Sequence, residues 1–248
     1  MMSGSGTNAV KIIEYARAAP IPSFEVRMLF SENPESNTEK IGKKYDLPAM
    51  VNDRKRFFRE CGKKGKDARM LFDGFAADGF RNNEIDLVAL AGYNWFVTEE
   101  IHKNFLTLNV HPADLRPLDG SGGRKYAGGI GHVPVMNALL SGEKYVHSTV
   151  HLVTEIPDGG AILMVSDAVA PVLPDGIGRD LLVGSDELGM FESVALETQE
   201  RLKEEGDWKI FPKTIELISE GRYTRDEEDR IYLDGNLIPE GIEFSEVI

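Results

Sequence analysis

A short, almost wholly apolar segment that ends in glycine, Ile85 to Gly92, constrains the fold of this chain more than any other feature. Such a run is typical of a strand buried on both faces, and strands of that kind belong to parallel sheets covered by helices. Strand-like and helix-like segments alternate around it, which predicts an α/β fold with a mostly parallel, twisted sheet and helices on both faces. The other segments predicted in this half are strands at Val26–Phe30, Pro48–Val51 and Leu106–Val110, and helices at Val10–Ala18, Thr38–Tyr45, Ala68–Phe80 and Thr98–Asn104.

The second half of the chain follows a different pattern. Two apolar runs, Ser148–Thr154 and Ala161–Ala170, flank a Pro-Asp-Gly-Gly turn, which predicts an antiparallel hairpin. A long amphipathic helix is predicted from Leu188 to Glu205, and a polar hairpin from Arg222 to Asp234. Because no linker separates these segments, we expect a single domain over residues 1–248, with a C-terminal helix and a small hairpin.

The charge balance limits the class of partner. Acidic side chains outnumber basic ones, 41 against 28, which leaves a net charge of −13 on 248 residues. A large nucleic-acid surface needs clustered Lys and Arg, so this balance excludes one. The single cysteine, Cys61, has no partner for a disulfide or a zinc knuckle. No apolar run reaches the ~18 residues that span a bilayer, and the first residues lack the apolar core of a signal peptide. We therefore expect a cytoplasmic protein without a membrane partner.

Two polar residues stand at the end of a predicted strand. Asn109 and His111 alternate with Val110, so they face the same side, and Pro112 ends the strand. An amide donor beside an imidazole suits a reaction that builds an oxyanion, since one group donates a hydrogen bond and the other moves protons. The pattern also fits an amide that binds a turn and an ordinary strand-end histidine. Taken alone, Asp158 is a turn residue and His151 a core histidine.

The first predicted helix follows a Gly/Ser-rich segment, Ser3 to Asn8. A loop of this type offers backbone N–H groups and the positive end of a helix dipole, which suits phosphate. The same composition is typical of a flexible chain start, so spacing alone leaves both interpretations open.

The order of these pieces is more informative than any one of them. Along the chain the order is Asn109-x-His111-Pro112, then Pro134-Val135-x-x-Ala138-Leu139-Leu140, then Thr149-Val150-His151 and finally Asp158-Gly159-Gly160. This pattern resembles that of the folate-dependent formyltransferases, and among them the members that serve purine synthesis. Four further segments are similar to theirs, so that the resemblance covers almost the whole chain: Ser3–Asn8, Leu90–Tyr93, Glu197–Glu200 and Leu233–Gly235.

The resemblance implies a reaction and the residues that perform it. An amine would attack the formyl group of 10-formyltetrahydrofolate, and the matching positions make Asn109, His111 and Asp158 the catalytic residues. The implied acceptor is glycinamide ribonucleotide, whose phosphate and ribose would contact Gly6, Thr7, Asn8 and Glu200. The folate would lie against Trp95, Val97, Val153, Thr154 and Glu155. No metal is expected, and the partners are these two small molecules, with the chain as a monomer or a homodimer.

The resemblance also divides the chain, and three departures from it stand out. It implies a phosphate- and nucleotide-binding half at residues 1–110, and a folate-binding half with a C-terminal extension at 111–248. Only two residues precede the phosphate loop, so we expect the first strand of the family fold to be missing. The Gly-rich loop 113–130 is longer than in the family. It is either a lid whose Arg124 and Lys125 meet an anionic substrate or a surface insertion. Finally, Asn94 and Trp95 differ from the residue types expected beside folate.

Relatives with other activities define the alternatives. Methionyl-tRNA formyltransferases carry a basic C-terminal tRNA-binding domain, which the acidic end of this chain does not resemble. Formyltetrahydrofolate hydrolases carry an N-terminal regulatory domain, which we do not expect in this protein. A sugar-nucleotide N-formyltransferase stays open, because its catalytic core is similar. A non-catalytic folate- or nucleotide-binding relative is the alternative from another class. The missing first strand favours it, and the presence of all three catalytic residue types opposes it.

Overall fold

The computed structural model describes residues 1–173 and 188–247. The chain divides into two compact units. The first unit comprises Met1–Asn109 and Leu152–Pro157, and the second comprises Val110–His151 and Asp158–Ile248. The expectation of one domain over the whole chain stays a prediction.

The first unit alternates helices and short parallel strands. Its elements are α1 (Thr7–Ala18), β1 (Leu29–Ser31), α2 (Thr38–Tyr45), β2 (Ala49–Val51), α3 (Arg54–Glu60), α4 (Gly65–Asn82), β3 (Leu87–Leu90), α5 (Glu99–His102) and β4 (Leu106–His111), whose last two residues belong to the second unit. β1 pairs in parallel with β2, and β3 pairs in parallel with β4, with Leu90 opposite Asn109. The predicted α/β fold class is confirmed.

Aromatic side chains form the centre of the first unit's core. Phe30 at β1 packs edge-on against Phe72 and Phe80 of α4, with ring centroids 6.2 and 5.8 Å apart. All three rings are at most 3% exposed. Edge-to-face packing of this kind stabilises a core beyond the area that it buries. The packing joins β1 to α4, and Val88 and Leu90 of β3 belong to the same apolar cluster.

Met1 and Met2, the two residues before the phosphate loop, form main-chain hydrogen bonds with two other segments of the first unit. The Met2 amide donates to Phe30 O at 3.0 Å, and the Ala91 amide donates to Met1 O at 2.8 Å. Ser3 N then donates to Gly92 O at 3.0 Å. Met1 and Met2 are thus bonded to the β1 segment on one side and to the β3 segment on the other.

The second unit contains the predicted hairpins. Its elements are α6 (Val133–Leu140), β5 (Thr149–Leu152, of which Leu152 belongs to the first unit), β6 (Ile162–Val165), α7 (Leu188–Leu202), a π-helical turn (Lys203–Asp207), α8 (Trp208–Ser219), β7 (Tyr223–Arg225), β8 (Ile231–Leu233), β9 (Asn236–Leu237), β10 (Ile242–Glu243) and a 3₁₀ turn (Phe244–Glu246). β5 and β6 are antiparallel, as predicted, with a register shift between Val150 and His151. β10 extends β6 in parallel, and β7, β8 and β9 form the closing antiparallel sheet.

The long predicted helix ends earlier than its apolar pattern indicates. α7 stops at Leu202 and continues as the π-helical turn. In that turn Gly206 packs so closely on Ser148 that a Cβ there would lie 2.8 Å from Ser148 Oγ. Ser148 Oγ also donates to the buried Asp207 Oδ1 at 2.5 Å. The local widening of the helix therefore serves a close contact with the start of β5.

The described part of the chain contains no helix of sufficient length and apolar character to cross a membrane.

Candidate active site

The end of β4 carries the two residues that the sequence singles out. Asn109 and His111 alternate along this strand, so their side chains leave it on the same side. His111 is buried, with 4% of its surface exposed, and Asn109 is half-buried. A strand in the core is a rigid support, so the imidazole is held with little freedom to move.

Asp158 lies at the turn of the β5–β6 hairpin with a φ of 51°, in the left-handed region. Three groups surround its carboxylate. The Gly128 amide donates to Oδ2 at 2.7 Å, and His151 Nε2 lies 3.3 Å from Oδ1. His111 Nδ1 lies 3.6 Å from Oδ2. The structure therefore brings His111 and Asp158 together within the second unit, with His151 on the other side of the same carboxylate.

The second nitrogen of His111 is also occupied. Nε2 lies 2.8 Å from the carbonyl oxygen of Tyr126. A carbonyl can only accept a hydrogen bond, so Nε2 carries the hydrogen and donates it. At 3.6 Å the contact between Nδ1 and Asp158 is electrostatic rather than a hydrogen bond. The imidazole is thus oriented by Tyr126 on one side and by a carboxylate on the other.

Burial and charge set the protonation of this pair. Burial lowers the pKa of His111 and outweighs the opposing effects of the Asp158 carboxylate and the Tyr126 carbonyl. Burial also raises the pKa of the Asp158 carboxyl, but the hydrogen bond with His151, the charge of His111 and the Gly128 amide together hold it well below its usual value. At neutral pH the site therefore contains a neutral imidazole beside a charged carboxylate.

The Gly-rich loop 113–130 packs directly on this pair. Besides the contacts of Tyr126 and Gly128, Arg124 donates from Nη1 to Asp158 O at 2.8 Å and from Nη2 to Gly160 O at 2.7 Å. Lys125 Nζ lies 3.6 Å from Glu143 Oε1. Arg124 and Lys125, the two side chains that could contact an anionic substrate, therefore both interact with other groups of the protein in this structure.

The predicted phosphate loop has the geometry of a helix N-terminus open to an anion. Gly6 stands at the N-cap of α1 with a φ of 74°, and the first turn holds no acidic side chain. The loop's carbonyls point away to the segment after β1: Asn33 Nδ2 donates to Ser3 O at 2.9 Å, and Asn37 N donates to Gly4 O at 3.0 Å. Thr7 is exposed and Asn8 half-buried on the first turn of α1. The dipole of this helix favours an anion there.

The residues predicted to hold the folate fall into two groups in the first unit. Trp95, Val97 and Val153 belong to one apolar cluster together with the aromatic core. The Arg54 guanidinium lies 3.7 Å from the centroid of the Trp95 ring, a cation–π contact. Thr154 and Glu155 follow Val153 and are exposed.

The structure places Glu200, the predicted ribose contact, on an exposed part of α7. Its side chain is 68% exposed and forms an ion pair with Lys203 Nζ at 2.5 Å.

Comparison with known proteins decides the family. The family model described as formyl transferase matches residues 1–177. The chain belongs to the formyl transferase family. It is 28% identical over 241 residues to the phosphoribosylglycinamide formyltransferase of Haemophilus influenzae, which covers 96% of this chain and 94% of the relative.

Solved structures show the same fold. Glycinamide ribonucleotide transformylase 1 from Symbiobacterium toebii matches with a TM-score of 0.66 at 24% identity, over 94% of this chain and 91% of that one. The phosphoribosylglycinamide formyltransferase of Coxiella burnetii, in complex with CHES, matches with a TM-score of 0.69 at 19% identity, over 98% and 96%. At these identities the likeness establishes the fold, and the predicted formyltransferase fold is confirmed.

The sequence does not predict three of the contacts in the candidate site of this formyl transferase. The sequence indicates that His151 is a core histidine, whereas in the structure its Nε2 donates to Asp158. Its only sequence signal is the alternation with Thr149, which puts both on one side of β5. Tyr126 and Gly128 act through main-chain atoms, which any residue supplies, so no residue type marks them. Within residues 1–173 and 188–247, no group of three or more His, Cys, Asp or Glu side chains is arranged to hold a metal ion.

Proposed function

We propose that this formyl transferase moves the formyl group of 10-formyltetrahydrofolate to the amine of glycinamide ribonucleotide, in purine synthesis. The observation that carries the proposal is the contact between the buried His111 at the end of β4 and Asp158 in the β5–β6 turn, with Asn109 on the same side of β4 as His111. The name of the Haemophilus influenzae relative, which matches over nearly its whole length, supports the choice of acceptor.

The chemistry follows from these three side chains. The substrate amine attacks the formyl carbon, so that a C–N bond forms and the carbonyl oxygen becomes an oxyanion. Asn109 donates a hydrogen bond to that oxyanion, and His111 donates another from Nε2 after exchanging the Tyr126 carbonyl for it. Hydrogen bonds to the oxygen on which the charge develops lower the barrier to this step.

The intermediate then collapses. The bond between the formyl carbon and the folate nitrogen breaks, and a proton passes from the former amine to that leaving nitrogen. Asp158 keeps His111 oriented, stabilises the imidazolium as the proton moves, and assists its transfer. Because no covalent enzyme intermediate is needed, alignment of the two substrates supplies much of the remaining rate.

Each substrate has a site of matching chemistry. The amides at the start of α1, with Gly6, Thr7 and Asn8, suit a phosphate, and Glu200 is the proposed contact of the ribose hydroxyls. The apolar surface of Trp95, Val97 and Val153, continued by Thr154 and Glu155, suits a pterin ring. A cytoplasmic location, a monomer or homodimer and the lack of a metal requirement stay predictions.

One assay separates the candidate functions. The enzyme is offered 10-formyltetrahydrofolate with glycinamide ribonucleotide or with amino-sugar nucleotides, as wild type, His111→Asn and the control His102→Asn on α5. We expect turnover with glycinamide ribonucleotide and a loss of about 10²–10³-fold in kcat for His111→Asn alone. Turnover only with an amino-sugar nucleotide identifies the sugar-nucleotide activity instead. Binding of both ligands without turnover identifies a non-catalytic relative, and equal turnover in His111→Asn refutes the mechanism.

A further inference from the structure

The hydrogen-bond acceptors of Arg124 are unusual for a charged side chain. Its guanidinium donates to two main-chain carbonyls, Asp158 O at 2.8 Å and Gly160 O at 2.7 Å, and it forms no ion pair with any residue of the described part of the chain. The charge of the Asp158 carboxylate also favours the charged form of Arg124, so the guanidinium interacts with both the main chain and the side chain of this turn. The planar fork of a guanidinium can hold two acceptors at a fixed separation, which an ammonium cannot do.

Both carbonyls follow the Cα of Asp158 in the chain, one belonging to Asp158 itself and the other to Gly160, so Arg124 bridges the backbone immediately after the carboxylate. Asp158 has a φ of 51°, in the left-handed region that few residues other than Gly, Asn and Asp adopt. Gly159 and Gly160 follow and add freedom to the turn. Arg124 spans this flexible stretch from one side to the other, so it restricts the direction in which the carboxylate points.

The loop contacts the pair at three alternating positions. Arg124 holds the main chain of Asp158, Tyr126 O accepts from His111 Nε2 at 2.8 Å, and the Gly128 amide donates to Asp158 Oδ2 at 2.7 Å. The segment turns at Lys125 and Tyr126, where the Ala127 amide donates to Arg124 O at 3.3 Å, and one short stretch of loop thereby meets both members of the pair. Arg124 is the only one of the three that acts through its side chain.

A small turn presents Arg124 to the hairpin. Leu118 and Arg124 form an antiparallel bridge, and Asp119 N donates to Gly123 O at 2.7 Å. The Asp119 carboxylate closes the turn by accepting from the amides of Ser121 and Gly123, at 2.8 and 3.0 Å. The glycine-rich stretch is thus folded on itself, with the arginine at its end.

We infer that Arg124 is a positioning residue that fixes the Asp158 turn, and with it the orientation of His111, for the proposed formyl transfer. The inference rests on the proposed function for its kinetic consequence. Arg124 acts on the turn and not on a substrate, so its loss lowers kcat and leaves the KM of both substrates unchanged.

The test compares Arg124→Ala and Arg124→Lys with wild type and with Arg225→Gln, which removes an exposed arginine paired with Asp229. A displaced catalytic group costs about 10²-fold in rate, and we expect that loss in kcat for Arg124→Ala. Arg124→Lys recovers only part of it, because an ammonium on a flexible stem lacks the rigid fork that holds two carbonyls at a fixed separation. Added guanidinium ion restores kcat in Arg124→Ala at concentrations that leave wild type unaffected.

Other results overturn the inference. A raised KM for either substrate at constant kcat makes Arg124 a substrate contact. An unchanged or increased kcat removes the positioning role, and so does a loss that guanidinium does not restore in a folded variant. If wild type itself shows no formyl transfer, the proposed function fails, and positioning is then tested by NMR. The His111 ring nitrogens and the Gly128 amide must shift in Arg124→Ala and return with guanidinium, or the inference fails too.

Discussion

Replacement of Gly6 by alanine tests the structure of the phosphate loop. Gly6 has a φ of 74°, where an L-residue with a Cβ costs roughly 1–2 kcal/mol. A Cβ would lie 2.4 Å from Met2 Cε and 2.6 Å from Ile41 Cδ1. Met2 and Ile41 are 1% and 7% exposed, so both side chains must move within a packed core, at a cost of about 1–3 kcal/mol. We therefore expect Gly6→Ala to lower the free energy of unfolding by about 2–5 kcal/mol.

The same loop offers a matched control. A Cβ at Gly4 meets no atom within 4 Å, and its φ lies outside the left-handed region. Gly4→Ala should therefore stay within about 0.5 kcal/mol of wild type. Both variants are measured by urea unfolding, followed by circular dichroism. In steady-state kinetics the KM for the ribonucleotide should rise in Gly6→Ala and not in Gly4→Ala. Equal unfolding midpoints for the two variants would refute the reasoning from strain and packing.

Two further substitutions test the site. Asp158→Asn keeps the turn and removes the charge, so kcat should fall by about 10²-fold or more. Its hydrogen bonds hold the pKa of Asp158 below the usual range, so its stabilising effect is full above about pH 4 and is lost as the pH falls. The difference in unfolding free energy between wild type and Asp158→Asn should shrink below that pH. Trp95→Ala should raise the KM for the folate donor more than Trp95→Phe does, with the ribonucleotide KM unchanged; equal donor KM values would contradict the pterin surface.

Local patterns in the sequence predict most of the first unit because its elements are periodic. β3 and α4 carry apolar residues at the spacing of their own secondary structure, and both appear where they are expected. α3 was not predicted, since Arg54–Glu60 contains mostly charged residues and buries none of them. Its start is marked only by Asp53, whose carboxylate accepts from Lys55 N and Arg56 N.

The sequence does not predict α6 either, because its segment is too apolar, whereas that of α3 is too highly charged. Val133–Leu140 is apolar on almost every side and has proline in its first turn, so it lacks the alternation that identifies a surface helix. The segment resembles a family motif, and that resemblance by itself predicts no secondary structure. The burial of Val135, Ala138 and Leu139 in the core of the second unit explains why the helix needs no polar face.

The sequence indicates the members of the candidate site that act through their side chains, and it does not indicate those that act through main-chain atoms. His111 and Asp158 are distinguished by their residue types, although 47 positions apart. The contacts of Tyr126 and Gly128 depend on the path of loop 113–130, which no local pattern specifies. For Arg124 the sequence leaves open a substrate contact in a lid or a place in a surface insertion, whereas in the structure its acceptors are two protein carbonyls.

The two sequence interpretations of Asp158, a turn residue and a catalytic carboxylate, describe one property of the site. A left-handed φ of 51° at this turn is best tolerated by Gly, Asn and Asp. Glycine would relieve the strain but offer nothing to the histidines, and asparagine would keep the turn but carry no charge. Only aspartate both adopts the conformation and places a carboxylate between His111 and His151. The strained turn is therefore what aims the carboxylate, and this is why Asp158→Asn separates loss of charge from loss of shape.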